Sequence, residues 1–505
     1  GSMKPYKELE RVFTKLYRYG HMLLLADWDS HTMMPCKGSD ARGAAMAELQ
    51  LHMHDTITAP KIRALIEEAE KSVGDLEKLQ RANLREMRRA WELENLLPEE
   101  FVERKTVLTT KAHQVWKTCR EKNDFAGFLP TLKELIALFR EEGKLRAGNS
   151  GKHPYEALVD IYEPGMTLQR LDEIFGNVRS WLPELLKEVQ EKQKALGETV
   201  LEPKGPFPVS KQEALCRFFM DVWKFDFDGG RLDVSAHPFC GNSKEDVRIT
   251  TKYTETEFVT SLLGVIHETG HAKYEQNCGP KGFETQPVCM ARSLGVHEGQ
   301  SLFAEMQIGR SGAFMEFLAP RLVEYFGDQP AFTSSNMKRV IQRVSPGLIR
   351  IDADELCYPL HVMLRYEIER DLMDGNIEAE EVPRVWNEKM KSYLGLETLG
   401  NDKEGCLQDV HWSGGMFGYF PTYSLGAMVA AQLMSCVRRE LGEEVVDDCI
   451  RKGDLGKILA KQNEKIWQHG SSLTTDELLR QATGETLNPE HYRRHLERRY
   501  RDDRG

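Results

Sequence analysis

The stretch Phe258–His271, with the sequence FVTSLLGVIHETGH, decides how this chain can be interpreted. Its apolar residues recur at helical spacing and lead directly into His267, which predicts a helix. Residues four apart lie about 40° apart around a helix, so His267 and His271 can place two imidazole nitrogens on one ion. Glu268 is rotated to the side of this pair, where it can reach a metal-bound water. The pattern predicts a zinc site with an adjacent general base.

The third metal ligand must come from elsewhere in the chain. Zinc that activates water keeps one position open, so three protein ligands are expected. The extended motif that adds a third histidine needs Gly and His at positions 274 and 277, and Tyr274 and Asn277 exclude it. Glu298 begins an apolar helical segment that could pack antiparallel to the first helix. By the residues alone, Glu284 and Glu305 remain alternatives.

A bare five-residue pattern also arises by chance, as part of a polar helix face. A helical scaffold with a structural zinc is a further hypothesis, which Glu268 disfavours because a structural site has no use for a general base. His297 is interpreted as a supporting residue and not as a fourth ligand. Leu302 stands where related sites place an aspartate, so the groups that orient the two histidines cannot be named from the sequence.

Composition limits the classes of partner. The chain has 505 residues and a net charge of −11 with acids and bases interspersed, which gives no basic footprint for nucleic acid. The same charge argues against an anionic membrane surface, and no apolar stretch reaches the roughly 18 residues of a spanning helix. The ten cysteines form no CxxC pair. Reduced, mostly buried thiols and a cytoplasmic location are therefore expected.

The rest of the pattern predicts a mainly α fold. Helical periodicity dominates, whereas alternation at Asp246–Tyr253 and a turn within Phe225–Val234 predict a small antiparallel sheet beside the metal helix. Residues 1–505 are interpreted as a single domain, with two lobes flanking a cleft and joined through the Gly- and Pro-rich stretch Leu196–Pro208. Gly1-Ser2 are interpreted as the remnant of an expression tag, with the native start at Met3.

Eight further segments, before and after the HETGH helix, occur in a characteristic order and spacing. Together with the HETGH helix they resemble the carboxypeptidase Taq family of HExxH zinc metallocarboxypeptidases, over nearly the whole chain. The segments are Leu25–Asp29 with Thr32, Met34, Pro35, Gly38 and Arg42; Pro154–Leu158; Tyr162–Gly165; His237–Phe239; Asp246–Thr250; His297–Gln300; Ile349–Asp354; and Gly405–Trp412.

This resemblance implies a helical fold with a deep groove, a three-stranded sheet beside it, and a homodimer. It also implies removal of single C-terminal residues, with broad side-chain tolerance, from peptides that have a free C-terminus. It favours Glu298 as the third ligand and implies that cobalt can replace zinc. In such an enzyme Glu268 takes a proton from water and passes it to the leaving amine.

Arg350 is the candidate for binding the substrate carboxylate. Its planar guanidinium matches a carboxylate bidentately. By the residues alone, an ion pair with Asp352 or Asp354 that merely holds the fold together is an equal alternative. The resemblance favours substrate binding.

His411 and Tyr423 are the candidates for stabilising the oxyanion that develops during peptide hydrolysis. Related HExxH peptidases with a glutamate third ligand supply a His and a Tyr from a late segment, and Tyr419 is the rival tyrosine. The alternatives are a buried His411 oriented by Asp409 and a Tyr423 that is only a core aromatic residue.

Arg248 lies on the polar face of a predicted strand, where an edge strand could pair with substrate backbone. The resemblance links its segment and His237–Phe239 to groove closure and to a limit on substrate length. The alternative is a structural ion pair with Asp246. For the whole protein, a metallo-oligopeptidase that cuts internal bonds or releases dipeptides remains the second functional hypothesis.

Overall fold

The computed structural model describes residues 3–505, so the interpretation of Gly1-Ser2 lies outside the described residues. Helices account for 69% of the chain, which confirms the predicted mainly α fold. In chain order the helices are α1 Lys4–Thr32, α2 Ser39–Thr58, α3 Pro60–Lys71, α4 Lys78–Asn95, α5 Glu99–Glu121, α6 Phe125–Ala147, α7 Pro154–Tyr162, α8 Leu168–Lys194, α9 Val209–Val222, α10 Val259–Asn277, α11 Leu294–Leu302, α12 Gly312–Phe326, α13 Ser334–Ile341, α14 Tyr358–Asp374, α15 Val382–Leu394, α16 Pro421–Leu441, α17 Glu443–Arg451, α18 Gly456–Lys465, α19 Thr475–Thr483 and α20 Glu490–Leu496. The strands are β1 Gly230–Val234, β2 Cys240–Ser243 and β3 Asp246–Thr251.

The chain forms two compact units. The first contains the part up to Asn95 together with Val200–Ile341 and Val429–Asn488. The second contains Leu96–Thr199, Gln342–Met428 and Pro489–Gly505. The chain passes from the second unit to the first at residues 199–200, within the predicted connecting stretch Leu196–Pro208. A single domain with two lobes beside a cleft stays a prediction.

The N-terminal helices of the first unit pack through one apolar core. Tyr6, Leu9 and Phe13 recur at three- and four-residue spacing on α1, and all three are buried. They meet buried residues of α2, α3 and α4 and of the turn before α4, namely Ile57, Ile62, Ile66, Ala69, Leu76, Leu84 and Met87. Burial of these apolar side chains stabilises the helical assembly.

The sheet of the first unit has three strands in the order β1-β3-β2. β2 pairs with β3 in antiparallel register, but β1 pairs with β3 in parallel register. The predicted purely antiparallel sheet is therefore corrected to a mixed one. The chain reverses once after β1 and again after β2, so β1 and β3 run in the same direction when they become neighbours.

The central strand β3 anchors the sheet on α10. Val247 and Ile249 alternate toward the core, as predicted, and pack with Val265 and Ala272 of α10. The loop before β2 is tied to the same strand, because the Thr250 hydroxyl accepts a hydrogen bond from the backbone N–H of Phe239 at 3.0 Å. Both segments thus lie in a fixed position beside the metal helix.

Helix α14 of the second unit carries three fully buried polar side chains. His361, Arg365 and Glu369 follow at four-residue intervals along it, and each side chain is fully buried. Residues at this spacing share one face of a helix. Because buried polar groups need hydrogen-bond partners, this face must meet a polar surface.

The cysteine side chains and the apolar character of the helices can be compared with the sequence predictions. All ten cysteines are free, and seven of them are buried, as the scattered cysteine pattern predicted. Among residues 3–505, no helix is both long and apolar enough to cross a membrane.

Candidate metal centre and associated polar clusters

Helices α10 and α11 of the first unit cross at very short distance. A Cβ atom at Gly270 would lie 2.5 Å from the carbonyl oxygen of Gln300 and 2.6 Å from the Cα of Ser301. Only glycine allows this approach, because real Cβ contacts are not that short. Ser293 caps the start of α11 by accepting a hydrogen bond from the backbone N–H of Val296. The crossing brings the first turns of α11 over the HETGH segment.

The crossing assembles His267, His271 and Glu298, whose ligand atoms all lie within 4.8 Å of one another. Glu298 Oε1 is 3.0 Å from His267 Nε2 and 3.9 Å from His271 Nε2. Tetrahedral zinc with bonds of about 2.0–2.1 Å requires donor separations of roughly 3.4 Å, which these two distances bracket. Two imidazoles and one carboxylate therefore fit a zinc ion that keeps one position open.

The two alternative third ligands lie elsewhere. Glu284 is exposed in its loop, where its carboxylate accepts a hydrogen bond from the backbone N–H of Gly282. Glu305 lies in the π-helical turn Phe303–Gly309 that directly continues α11. Its carboxylate contacts the other nitrogen of His267, with Oε1 3.0 Å from Nδ1. Glu305 thus orients a histidine of the triad instead of joining the triad.

Glu305 supplies a supporting group that the sequence did not reveal. Leu302 is buried and apolar, so the position four residues after Glu298 offers no hydrogen bond. Glu305, three residues further on, takes that place and is itself bound by Arg310 at 2.8 Å. Such partners fix the ring orientation of metal-binding histidines. The widened turn could not be recognised from residue spacing.

His271 has a separate support. Its Nδ1 lies 2.6 Å from Nδ1 of His297, whose Nε2 lies 2.6 Å from Oε1 of Glu275. His297 therefore occupies the supporting position expected of it. Burial and the neighbouring His297 lower the pKa of His271, which favours the neutral ring that a metal requires.

Glu268 lies next to His267 on α10 and is only partly accessible. Burial raises the pKa of Glu268 to about 7. A carboxyl group with such a pKa can exchange a proton near neutral pH, as acid–base catalysis requires.

Arg248 on β3 is paired within the first unit. Its guanidinium donates to both carboxylate oxygens of Asp246, at 2.8 and 3.2 Å, and lies 4.3 Å from the ring centroid of Trp28. Asp246 also lies 3.3 Å from His21 of α1. The structural ion pair anticipated for Arg248 is thus present, and it links the strand to α1 through a cation–π contact.

In the second unit, Arg350 is 6% exposed and pairs with Asp409, whose Oδ1 lies 3.0 Å from its Nε. Its Nη1 donates to the Tyr358 hydroxyl, and its guanidinium lies 4.8 Å from the Tyr423 ring centroid. The anticipated pairing with Asp352 or Asp354 is wrong. Asp354 instead accepts hydrogen bonds from the backbone N–H groups of Leu356 and Cys357, which immediately precede α14.

Asp409 lies between two buried guanidinium groups. Its second oxygen accepts a hydrogen bond from Nε of the fully buried Arg365 at 2.6 Å. Burial alone would raise the pKa of Asp409, but Arg365 and Arg350 outweigh burial and hold it well below its usual range. The ion cluster keeps Arg350 in a fixed position.

His411 is buried beside Tyr423, with Nε2 3.1 Å from the tyrosine oxygen. Its Nδ1 is buried and has no hydrogen-bond partner within the described part of the chain. The anticipated orientation of His411 by Asp409 is therefore wrong, because Nε2 contacts Tyr423 and Nδ1 contacts no acceptor or donor among the described residues. Burial lowers the pKa of His411 to about 4, so the ring is neutral at pH 7. The ring of Tyr419 lies 5.5 Å from that of His411 and 5.4 Å from that of Tyr423.

The predicted site residues thus form two groups. The first unit brings together His267, Glu268, His271 and Glu298, whereas the second brings together Arg350, His411, Tyr419 and Tyr423. The sequence did not single out Glu369, a fully buried carboxyl group that binds the loop carrying His411. Helix α14 contains four acidic residues, and the available indication for Glu369 was its four-residue spacing from Arg365 and His361.

Comparisons with known proteins agree on one family. The sequence profile described as carboxypeptidase Taq (M32) metallopeptidase matches residues 8–500. Carboxypeptidase 1 of Bacillus subtilis is 34% identical over 496 residues, covering 98% of this chain and 97% of that protein. Thermostable carboxypeptidase 1 of Thermus thermophilus is 36% identical over 486 residues, covering 94% of each. The solved structure of metallocarboxypeptidase 1 of Trypanosoma cruzi superposes with a TM-score of 0.95 at 96% identity, covering 99% of this chain and 100% of that one.

Proposed function

Because the chain belongs to the carboxypeptidase Taq (M32) family of metallopeptidases, we propose that it is a zinc-dependent carboxypeptidase that removes single C-terminal amino acids from peptides. Membership of this family makes it a metallocarboxypeptidase, a peptide hydrolase. The observation that carries the zinc assignment is the convergence of His267, His271 and Glu298 beside Glu268.

A bound zinc ion supplies Lewis-acid polarisation of the scissile carbonyl and lowers the pKa of water. His267, His271 and Glu298 would hold it, with cobalt as a possible substitute. In the proposal, Glu268 accepts a proton from the attacking water and donates it to the leaving amine. Its place next to His267 on α10 supports this role, since the carboxylate lies beside the triad without being part of it.

Further residues have proposed roles in binding the substrate and in stabilising the oxyanion. Arg350 binds the C-terminal carboxylate, and its support is a buried guanidinium held by Asp409 and by aromatic rings. His411 and Tyr423 stabilise the oxyanion, with Tyr419 as the rival tyrosine. The neutral ring of His411 can carry an N–H donor, which supports that role. Arg248 contributes to substrate binding through its side chain. The anticipated pairing of an edge strand with substrate backbone is wrong for this segment, because β3 is the central strand and pairs with β1 and β2 on its two sides.

The oligomeric state, the cellular location and the binding partners are also proposed. A homodimer, a cytoplasmic location and peptide substrates with a free C-terminus, without nucleic acid or membrane partners, are predictions from the sequence and its resemblance. An oligopeptidase that cuts internal bonds or releases dipeptides is the competing function.

The deciding experiment compares a peptide with its C-terminal amide, using zinc-loaded and metal-free protein and reading products by mass. A carboxypeptidase releases single residues from the free acid and leaves the amide intact. Equal cleavage of both peptides would instead establish the oligopeptidase. Glu268→Gln should abolish turnover while the protein still binds one zinc per chain, with Glu284→Gln as the matched control. Full activity of Glu268→Gln would refute the assigned mechanism.

A further inference from the structure

We infer that Glu369 is a positioning residue, whose buried carboxylate ties together the two arms of the loop from Asp409 to Phe420 and so sets the placement of His411 relative to Tyr419. We call the carboxylate and its three hydrogen-bond donors, Tyr155, Trp412 and Gly418, the Glu369 clamp. The inference rests on the proposed function for its catalytic consequence, whereas the clamp itself can be tested without any activity.

The clamp has three hydrogen bonds to two oxygens. Oε1 accepts one from the hydroxyl of Tyr155 at 2.6 Å and one from the backbone N–H of Gly418 at 3.0 Å. Oε2 accepts one from the indole N–H of Trp412 at 2.7 Å. Two of the three donors belong to the loop, and the third belongs to α7. Hydrogen bonds to an ionised acceptor are stronger than neutral ones, so the loop is held at two points.

Each loop donor is adjacent in sequence to a residue of the proposed site. Trp412 directly follows His411, and Gly418 directly precedes Tyr419. The arms also contact each other, because the backbone N–H of Met416 donates to the carbonyl of His411 at 2.8 Å. One carboxylate therefore fixes the two backbone positions from which the His411 and Tyr419 side chains extend.

Gly418 makes the close approach possible. Its φ is +93°, a conformation that L side chains rarely adopt, and a Cβ there would lie 3.1 Å from the backbone nitrogen of Val159 on α7. The neighbouring Phe417 ring is buried and packs at 5.9 Å from the ring of Tyr155. The loop is thus pressed against α7 at the point where the carboxylate binds it.

Glu369 is fully buried, yet within the described part of the chain no cation forms an ion pair with it. Four cationic residues of α6, α14 and α15 have other partners. Arg140 of α6 binds the Leu372 carbonyl and Glu378. Arg365 binds Asp409, Arg370 binds Asp172, and Lys389 of α15 binds Glu367. The groups that interact with it electrostatically are Asp409, Tyr155 and Tyr162. A carboxylate without a counter-ion is costly to bury, so it is retained for its three hydrogen bonds.

Burial raises the pKa of Glu369 to about 7, although the three donors oppose the shift. The ionised form accepts all three hydrogen bonds. The protonated form carries an O–H in place of one acceptor site, and among the three partners only the Tyr155 hydroxyl can accept from it, so the hydrogen bonds rearrange when the proton binds. The clamp therefore has a spectroscopic consequence, because its ionisation occurs next to the indole of Trp412.

The first test is a pH titration of tryptophan fluorescence in the full-length protein, followed from pH 5 to pH 9. We expect a transition near pH 7 in the wild type that is absent in Glu369→Gln and in Trp412→Phe. The same transition in Glu369→Gln, or none in the wild type, would overturn the clamp. This readout needs neither zinc nor substrate, so it remains decisive if the protein proves to have no carboxypeptidase activity.

The second test is the division of the kinetic effect between kcat and KM. Trp412→Phe and Glu369→Gln should lower kcat about tenfold or more and leave KM within about threefold. These variants displace the loop that carries His411 and Tyr419 but remove no residue of the proposed site. Tyr155→Phe removes the one donor outside the loop and should leave kcat within about twofold. If Tyr155→Phe lowers kcat as much as Trp412→Phe, Glu369 supports the fold as a whole and the positioning role is wrong. If Glu369→Gln does not fold, this pair of single-donor variants decides.

Discussion

The backbone of Gly270 lies so close to that of Gln300 that a Cβ at position 270 would come within 2.5 Å of the Gln300 carbonyl oxygen. This contact sets the distance between α10, which carries both histidines, and α11, which carries Glu298. The spacing of His267, His271 and Glu298 therefore depends on a glycine at position 270, because any other residue would place a Cβ atom in this contact.

Gly270→Ala should weaken zinc binding by about tenfold to a hundredfold, because the two helices must separate before the methyl group fits. The variant should also unfold at lower temperature, at a cost of about 1–3 kcal/mol. Chelator competition and thermal melts measure the two effects. Gly264→Ala is the matched control on the same helix, since nothing lies within 4 Å of its added Cβ. Equal zinc affinity in the two variants would show that the helix crossing does not set the site.

Glu305→Gln should lower zinc affinity by about tenfold to a hundredfold while the fold is retained. The carboxylate contacts Nδ1 of His267, and an amide at that position no longer provides a charged acceptor for the ring N–H. Competition with a chelator at fixed pH measures the change. Glu284→Gln removes an exposed carboxylate and should leave the affinity unchanged. Unaltered affinity in Glu305→Gln would mean that Glu298 and the packing of α10 orient His267 unaided.

Arg350→Lys should reduce kcat/KM for free-acid peptides by roughly 30-fold or more, because a buried hydrogen-bonded charge pair with the substrate is worth about 2–5 kcal/mol. A lysine cannot reproduce the planar fork. Arg370→Lys, whose arginine binds the half-exposed Asp172, is the control and should change activity little. Steady-state kinetics on a short peptide series gives the answer. A variant that loses stability but keeps kcat/KM would return Arg350 to a structural role.

Asp409→Asn should destabilise the second unit by about 3–5 kcal/mol, because it leaves Arg350 and Arg365 buried without their shared counter-ion. The two arginines hold the pKa of Asp409 below its usual range, so its stabilisation is complete above about pH 4 and is lost as the pH falls. Denaturant unfolding at pH 7 and at pH 3 measures this difference. The difference in the free energy of unfolding between wild type and variant should be smaller at pH 3 than at pH 7. An equal difference at both pH values would contradict the role of the ion cluster.

Glu369→Gln should change the pH dependence of stability in the opposite direction. The pKa of Glu369 is raised to about 7, so the folded state holds a proton that the unfolded state releases above pH 4.5. Wild-type stability should therefore fall relative to the variant as the pH rises from about 5 to 8, by on the order of 3 kcal/mol. Unfolding free energies of both proteins across this range provide the measurement. Parallel curves would show that Glu369 titrates at an ordinary pKa.

Much of the candidate metal site could be predicted because its elements are local. The spacing of His267 and His271 on one helix follows from 3.6 residues per turn. The identity of Glu298 needed the packing of a second helix, which the sequence suggested but could not locate. The parallel pairing of β1 with β3 was missed, since strand order depends on how the intervening loop crosses the sheet. The true partner of Arg350 was missed because Asp409 is 59 residues away in sequence.

By itself, the sequence determined the helix that carries two imidazoles and a base, the mainly α class and the family. These properties depend on residue identity at short spacing, where backbone geometry is already fixed. Only the tertiary structure decided that Glu305 contacts His267 and His297 contacts His271, that Asp409 holds two arginines, and that Glu369 binds the loop of His411. Those contacts join residues far apart in the chain, and the packing of helices and loops determines which polar groups are buried together.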